Sequence, residues 1–253
     1  MTSSSTSGAN GSTHANYGLD APGVVRTMAL GGIVLLLVCA SGARLSAVRP
    51  VLGAIAQGLC WMGASLTATA LFMIASSRWG KLRARDALLD RLHVDGADTV
   101  LDVGCGHGLL LIGAAKRLAT GRAIGIDLWS QVDQHANSAQ ATRANASTEG
   151  VVDRVEVKDG DMRSLPFPDA SFDVIVSSLA VHNLDSAADR EVAMCEMRRV
   201  LRPGGRIGIL DIAHVGTYAA VLRRLGCEVQ PVRVTPWIFP PTRVLVATLP
   251  RVG

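Results

Sequence analysis

The part of the sequence best suited to bind a ligand is a glycine-rich run that follows a short apolar segment. Residues 100–108 read VLDVGCGHG, with three alternating glycines and Asp102 ahead of them. Glycines let the backbone approach a ligand closely, and the start of a following helix supplies free N–H groups. The spacing disfavours NAD, because the dinucleotide fingerprint GxGxxG requires Gly or Ala where this chain has Leu109.

The pattern DxGxGxG, formed by Asp102, Gly104, Gly106 and Gly108, resembles the first motif of class I S-adenosylmethionine-dependent methyltransferases. Two further runs resemble the ubiquinone/menaquinone-biosynthesis type of these enzymes, namely LPFPDASFDVIVSSLAVHNL and RRVLRPGGRI. The similarity extends over about residues 86–249. The resemblance implies S-adenosylmethionine as cofactor, S-adenosylhomocysteine as product and methyl transfer as the reaction.

The resemblance also assigns cofactor contacts, in which the glycine-rich loop holds the methionine part. Asp127 closes the next predicted strand, where an acid can accept hydrogen bonds from both ribose hydroxyls. Family members use the acid at the position of Asp161 to bind the adenine amino group. The expected cofactor-binding residues are Asp102, Gly104, Cys105, Gly106, Gly108, Asp127, Leu128, Trp129, Asp161, Met162 and Ser178, with Leu128 and Trp129 flanking the adenine.

Two histidines compete for the role of general base. An acceptor hydroxyl, amine or thiol must lose a proton, and an imidazole is suited to take it near neutral pH. His182 follows the fourth predicted strand at the carboxyl edge of the sheet, where Asn183 could orient the imidazole or the substrate. His214 follows the fifth strand at the same edge, so the sequence does not rank the two. The alternative for His182 is a packing or helix-capping role.

An alternation of strands and helices predicts that residues 79–253 form the methyltransferase domain. Strand-like segments such as DTVLDV, RAIGID and FDVIVSS alternate with helical stretches. The last two, CEVQPVRV and TRVLVATL, have no helix between them and predict an antiparallel pair. We expect an α/β fold with a Rossmann-like, seven-stranded, mostly parallel sheet, helices on both faces and an antiparallel last strand.

Two long uncharged runs predict a transmembrane helical hairpin within residues 24–78. They cover about residues 27–43 and 51–76, against about 20 residues needed to cross a bilayer. Five basic residues flank the spans on the domain side and two lie in the short link, which predicts a cytoplasmic methyltransferase domain. A cleaved signal peptide is the rival interpretation, and the second, longer apolar run disfavours it.

Composition sets further limits. With 49% hydrophobic and 18% charged residues the chain is not an intrinsically disordered protein, although residues 1–23 are predicted to be a disordered polar tail. Nucleic-acid binding is disfavoured, because residues 81–253 carry a net charge of only +1 and no basic stripe. The five cysteines contain no CxxC pair, which supports neither a disulfide framework nor a metal site and fits a reducing compartment.

The loop Pro236–Pro241 is apolar, rigid and aromatic. Trp237 and Phe239 could contact the bilayer interface or form a wall of the acceptor site. The alternative is packing in the core.

The sequence predicts a membrane-anchored methyltransferase acting on a small hydrophobic or lipid-like acceptor. Anchoring through residues 27–76 would raise the effective concentration of an acceptor dissolved in the bilayer. Two alternatives stay open, a methyltransferase of a soluble small molecule or protein, and a scaffold that binds the cofactor without transferring a methyl group. Association of two hairpins into a homodimer is a further open question.

Overall fold

Two sequence patterns produce two parts of the structure: long apolar runs form a helical hairpin, and alternating shorter segments form an α/β unit. The computed structural model describes residues 15–19, 21–43, 50–129 and 137–251. Most of the predicted polar tail and the link at residues 44–49 lie outside these ranges. The helices are α1 (Pro22–Ala43), α2 (Pro50–Ala75), α3 (Lys81–Arg91), α4 (Leu109–Ala115), α5 (Ala139–Thr148), α6 (Ala187–Val200) and α7 (Val215–Arg224), with a π-helix at Ser76–Gly80. The strands are β1 (Thr99–Val103), β2 (Arg122–Asp127), β3 (Val155–Asp159), β4 (Phe172–Ser178), β5 (Leu201–Asp211), β6 (Glu228–Val229), β7 (Arg233–Thr235) and β8 (Thr242–Thr248).

Within the described residues the sheet has eight strands, not the predicted seven. Five of them are parallel in the order β3-β2-β1-β4-β5, β8 runs antiparallel to β5, and the short β6 and β7 both pair with β8. The predicted single strand CEVQPVRV is divided because Pro231 lies between β6 and β7 and has no N–H to donate. The mostly parallel α/β architecture is as predicted.

Strand β5 begins earlier than the sequence predicts. Pro203-Gly204-Gly205, expected as a turn ahead of the strand, lies inside β5. Gly204 has a φ of +84°, and its N–H donates to the carbonyl of Leu249 at 2.7 Å. The pairing of β4 with β5 shifts register at the same level, between Phe172 and Val174. The glycine therefore permits an irregularity within the strand instead of ending it.

Helices cover both faces of the sheet and bury an apolar core on each. One core contains Met194 of α6 and Tyr218 of α7, and the other contains Leu88 of α3 and Leu111 of α4. The chain order of the strands reverses at β1, whose neighbours are β2 and β4. Open α/β sheets bind ligands in the crevice at such a reversal, at the carboxyl ends of the strands.

The N-terminal hairpin is apolar outside as well as inside. Pro22–Ser41 and Val51–Arg91 are each long and apolar enough to cross a membrane by length and composition, and only 17% of each apolar window is buried. Gly32 and Gly63 face each other across α1 and α2, and a Cβ on either would lie 2.9 Å from the carbonyl oxygen of the other. The two helices therefore approach closely at this pair, where neither residue has a side chain.

A disulfide joins Cys39 of α1 to Cys60 of α2, which corrects the expectation of unpaired cysteines. The pair is 21 residues apart and matches no short motif, so only the antiparallel packing of the hairpin brings it together. Disulfides persist in oxidising surroundings, so a reducing compartment no longer fits the whole chain. Cys105, Cys195 and Cys227 are free.

Candidate active site

A cavity of about 590 Å³ lies at the carboxyl ends of the parallel strands, at the reversal of strand order. The predicted residues that line it are Asp102, Gly104, Cys105, Gly106, Asp127, Leu128, Asp161, Met162, Ser178, His182 and Asn183. Gly108, Trp129 and His214 are not among the lining residues. The sequence motifs therefore converge on one cavity, with three of the predicted residues outside its wall.

The glycine-rich loop between β1 and α4 has three glycines with a positive φ, Gly104, Gly106 and Gly108, and at two of them a side chain would not fit. Gly104 has a φ of +71°, and a Cβ there would lie 2.4 Å from the Cβ of Ala180. Gly108 has a φ of +85°, and a Cβ there would lie 2.9 Å from Cγ2 of Thr142. Gly108 thus shapes the loop without lining the cavity. Burial raises the pKa of the Cys105 thiol in the same loop, which keeps it protonated.

Asp127 anchors the glycine-rich loop to the end of β2. Its Oδ2 accepts a hydrogen bond from the N–H of Gly106 at 2.8 Å, and its Oδ1 accepts from the N–H of Trp129 at 2.7 Å and from Nδ2 of Asn137 at 3.2 Å. A carboxylate has about four acceptor positions, so three internal bonds leave about one for a ribose hydroxyl. Binding of both hydroxyls therefore requires one internal donor, such as the Asn137 amide, to turn away.

Asp102 provides the cavity with a buried oxygen that lacks a partner. The residue is 1% exposed, its Oδ2 accepts from the N–H of Leu111 at 2.8 Å, and its Oδ1 has no hydrogen-bond partner among the described residues. Burial raises the pKa of this carboxyl from 3.8 to about 8, with a smaller rise from Asp127. An unsatisfied buried acceptor is complementary to a cationic donor. The ammonium group of S-adenosylmethionine is such a donor, so the residues present fit the predicted cofactor.

The raised pKa of Asp102 predicts a pH dependence of stability in the ligand-free protein. Between pH 4 and about 8 the folded protein holds a proton on Asp102 that the unfolded chain has lost, so the free energy of unfolding falls as pH rises through this window. Chemical unfolding at pH 5 and pH 8 measures this slope. Asp102→Asn should flatten it, and Asp153→Asn, at an exposed site, should not. An unchanged slope in Asp102→Asn would contradict the prediction.

The predicted adenine-binding residues divide into two groups. Leu128 is 62% exposed and lines the cavity together with Met162. Asp161 is held by Arg163, whose Nη2 lies 2.7 Å from Oδ2, and this contact lowers the pKa of Asp161. Trp129 is outside the cavity wall, and its Nε1 donates to Oδ1 of Asp159 at 2.6 Å. The expected flanking of adenine by the Trp129 ring therefore has no support in this arrangement.

The structure places the two candidate bases in different surroundings. Nδ1 of His182 lies 2.6 Å from Oδ1 of Asp211, and the His182 N–H donates to Oδ2 of Asp211 at 3.1 Å. The fully buried Asp211 also accepts from the N–H of Ile212 at 2.8 Å and the hydroxyl of Tyr218 at 3.4 Å. These contacts position the His182 ring with Nε2 left over for a substrate. His214 is exposed at the start of α7, outside the cavity wall.

The N-terminal segment 15–19 contributes to the site, although no motif predicted it. Asn16 exchanges two hydrogen bonds of 2.9 Å with the side chain of Asn145, and Nζ of Lys81 donates to the carbonyl of Tyr17 at 2.9 Å. Tyr17 and Lys81 both line the cavity. His107 also lines it, is 8% exposed, and has no hydrogen-bond partner for either ring nitrogen among the described residues.

The Pro236–Pro241 loop closes another side of the cavity and packs on the hairpin. Ile238, Phe239 and Pro240 are lining residues. The Phe239 ring contacts the Phe72 ring of α2 edge-on, with centroids 5.6 Å apart. The Phe239 N–H donates to Oγ of Ser76 at 2.8 Å. Phe239 therefore forms a wall of the cavity, whereas Trp237 is 45% exposed and is not a lining residue.

Gly80 lets this loop approach the helix, and we predict that Gly80→Ala destabilises the protein. A Cβ at Gly80 would lie 1.8 Å from the carbonyl oxygen of Trp237, so the loop must move. Forced overpacking costs about 1–3 kcal/mol. Thermal unfolding should show a clear loss relative to Gly216→Ala, because Gly216 has nothing within 4 Å of its Cβ position. Equal unfolding temperatures for the two variants would contradict the prediction.

Comparison with known proteins agrees with this geometry. Residues 101–209 match the family model described as Methyltransferase domain. The curated ubiquinone/menaquinone biosynthesis C-methyltransferase UbiE of Dinoroseobacter shibae is 34% identical over 131 residues, which are 52% of this chain and 49% of that protein. The chain spans about half the length of the curated relatives it matches.

Two solved structures share the fold. The [4+2]-cyclase SpnF has a TM-score of 0.58 and 21% identity, over 68% of this chain and 82% of that one. A SAM-dependent methyltransferase from Aquifex aeolicus has a TM-score of 0.55 and 20% identity, over 67% of this chain and 91% of that one. The match over residues 101–209 agrees with the resemblance of the DxGxGxG loop to class I S-adenosylmethionine-dependent methyltransferases and supports the expected cofactor, and the two solved structures share the fold.

Proposed function

We propose that the protein is a membrane-anchored enzyme that transfers a methyl group from S-adenosylmethionine to a small hydrophobic or lipid-like acceptor at the cytoplasmic face. The observation that carries this proposal is the double role of Phe239. It lines the cavity and also packs in an apolar cluster with Val25 of α1 and Met73 of α2. The acceptor side of the cavity is thus continuous with the helices that would lie in the bilayer.

In this reaction the main task of the protein is to align the acceptor atom with the methyl group of the cofactor. S-adenosylmethionine supplies an activated methyl group when it is bound. Asp102 and Asp127 would hold its ammonium and ribose groups, and the wall at Ile238 and Phe239 would hold an apolar acceptor. His182 would take the acceptor's proton on Nε2, since Nδ1 faces Asp211.

Several observations support the membrane part of the proposal. The 22 residues of α1 extend about 33 Å, slightly more than the hydrocarbon core of about 30 Å. The charge asymmetry of the flanking residues favours a cytoplasmic domain. Cys39 lies near the link end of α1 and Cys60 close to the middle of α2, so this orientation would place the disulfide in the half of the hairpin away from the cytoplasmic domain.

Two other functions compete with this one. A methyltransferase of a soluble small molecule or of a protein would need the same cofactor site but not the apolar wall. A cofactor-binding scaffold would need no base, and the fold neighbour SpnF, a [4+2]-cyclase, illustrates that this fold is not restricted to methyl transfer.

The deciding experiment follows labelled methyl groups. The detergent-purified full chain is incubated with methyl-labelled S-adenosylmethionine and a host membrane extract, and organic and aqueous phases are counted separately. We expect label in the organic phase, absent with Asp127→Ala and retained with Asp153→Ala, whose site is exposed and outside the cavity wall. Label confined to the aqueous phase or to protein would overturn the acceptor class. Intact cofactor binding without any label would favour the scaffold.

A further inference from the structure

Four basic residues lie within ten positions of the end of α2, and they separate into a buried pair and an exposed pair. Lys81 and Arg85 are buried and turned into the domain, where Lys81 bonds the carbonyl of Tyr17 and Nε of Arg85 bonds Oδ1 of Asp86 at 2.9 Å. Arg78 and Arg83 are exposed, and neither forms an ion pair within the part of the chain that the structure describes. Of the four basic residues at positions 78–85, these two are accessible to an external anion.

Two tryptophans are exposed beside these arginines. Trp79 is 61% exposed at the end of the π-helix, and Trp237 is 45% exposed on the Pro236–Pro241 loop. The guanidinium of Arg83 lies over the Trp237 ring, 5.4 Å from its centroid. Large indole rings half open to water are unusual on a soluble surface, whereas the membrane interface favours them.

We propose that Arg78, Trp79, Arg83 and Trp237, here called the collar, bind the anionic phospholipid headgroups of the leaflet next to the methyltransferase domain. The inference rests on the membrane anchoring in the proposed function. Two features of the collar point to this partner. It directly continues the apolar surface of α2, and its two guanidinium groups, which form no ion pair within the described residues, complement lipid phosphates and anionic headgroups.

The collar is directly connected to the wall of the cavity. Trp237 is joined directly to Ile238 and Phe239, which line the cavity, and the loop is held to the helix at Ser76 and Gly80. Because loop and helix are in such close contact, binding of the collar to headgroups fixes the Phe239 wall at the leaflet surface. An acceptor would then reach the cavity without crossing bulk water.

Fluorescence quenching by brominated lipids tests this placement, because bromine quenches only tryptophans that touch the acyl chains or the adjoining interface. The chain has four tryptophans, at positions 61, 79, 129 and 237. Four full-length variants, each keeping one tryptophan with the others changed to Phe, are reconstituted in vesicles of phosphatidylcholine and phosphatidylglycerol. Retained binding of S-adenosylhomocysteine shows that each variant is folded.

The four positions separate this proposal from the membrane anchoring itself. Trp61 is 73% exposed in the middle of α2 and reports on insertion of the hairpin, whereas Trp129 is bonded to Asp159 at the end of β2 and should stay unquenched. Quenching at 61, 79 and 237 supports the collar. Quenching at 61 with position 237 behaving like 129 overturns the collar and leaves the anchor standing. No quenching at 61 overturns both.

The preference of the collar for anionic lipid is tested by placing the bromine either on phosphatidylglycerol or on phosphatidylcholine in otherwise identical vesicles. Brominated phosphatidylglycerol at equal mole fraction should quench Trp237 about twofold or more beyond brominated phosphatidylcholine, and Arg78→Gln with Arg83→Gln should remove the difference. Equal quenching by both lipids would overturn the anionic preference. Protection of Trp237 that grows with protein density in the vesicles would instead place a second copy of the chain on the collar and overturn the lipid assignment.

Discussion

Replacement of His182 by alanine is expected to lower the initial rate of methyl transfer to the membrane extract by about 100-fold or more, because a positioned general base contributes this much. The affinity for S-adenosylhomocysteine should not change, since the ring contacts Asp211 and not the glycine-rich loop. The measurement is label in the organic phase at saturating S-adenosylmethionine, beside a calorimetric titration with S-adenosylhomocysteine.

His214→Ala is the matched control, because it removes the same ring from an exposed position outside the cavity wall. Its rate should equal that of the unmodified protein. Added imidazole should restore part of the rate of His182→Ala, since the deleted ring leaves space beside Asp211. A slow His214→Ala with a fast His182→Ala would assign the base to His214. Full activity in both variants would mean that the reaction uses neither ring.

Asp211→Asn tests the positioning of the His182 ring separately from its presence. The amide keeps the shape of the buried carboxylate but removes the charge beside Nδ1. We expect a loss of about tenfold or more in rate at unchanged affinity for S-adenosylhomocysteine. Imidazole should not rescue this variant, because its own histidine still occupies the site. A rate equal to that of the unmodified protein would show that Asp211 has only a structural role.

The sequence predicted the parts of the site that depend on short motifs. The DxGxGxG loop, Asp127 and Asp161 each follow a strand, and parallel strands bring their carboxyl ends together at one edge. Spacing along the chain is therefore enough to place them in one cavity. It is not enough to orient side chains: Trp129 donates to Asp159 and is not among the residues that line the cavity.

Contacts between distant segments could not be predicted. Lys81 donates a hydrogen bond to the carbonyl of Tyr17, which is 64 residues earlier in the chain. The whole hairpin lies between the two residues, and no short motif encodes how it folds. Cys39 and Cys60 pair for the same reason. Asp211 precedes His214 by three positions in the sequence, yet its carboxylate turns to His182 on the neighbouring strand connection. Such pairings depend on strand register and packing.

Asp127→Ala is expected to raise the Kd for S-adenosylhomocysteine by about 100-fold or more. The variant loses the acceptor of the ribose hydroxyls and also the carboxylate that holds the N–H groups of Gly106 and Trp129. Hydrogen bonds to a charged group contribute about 1.5–3 kcal/mol each, so the loss of one bond to the ribose and one bond to the loop accounts for this factor. Calorimetric titration with S-adenosylhomocysteine measures it without turnover.

Asp127→Asn separates loop anchoring from ribose binding. The amide oxygen can still accept from one loop N–H, while the amide nitrogen cannot accept at all, so we expect an affinity between those of Asp127→Ala and the unmodified protein. Asp153→Ala, exposed and distant from the cavity wall, should bind normally. Normal binding in Asp127→Ala would mean that the ribose is held elsewhere. In that case the bond from Asn137 to Asp127 should also be dispensable for cofactor binding, and Asn137→Ala would test that directly.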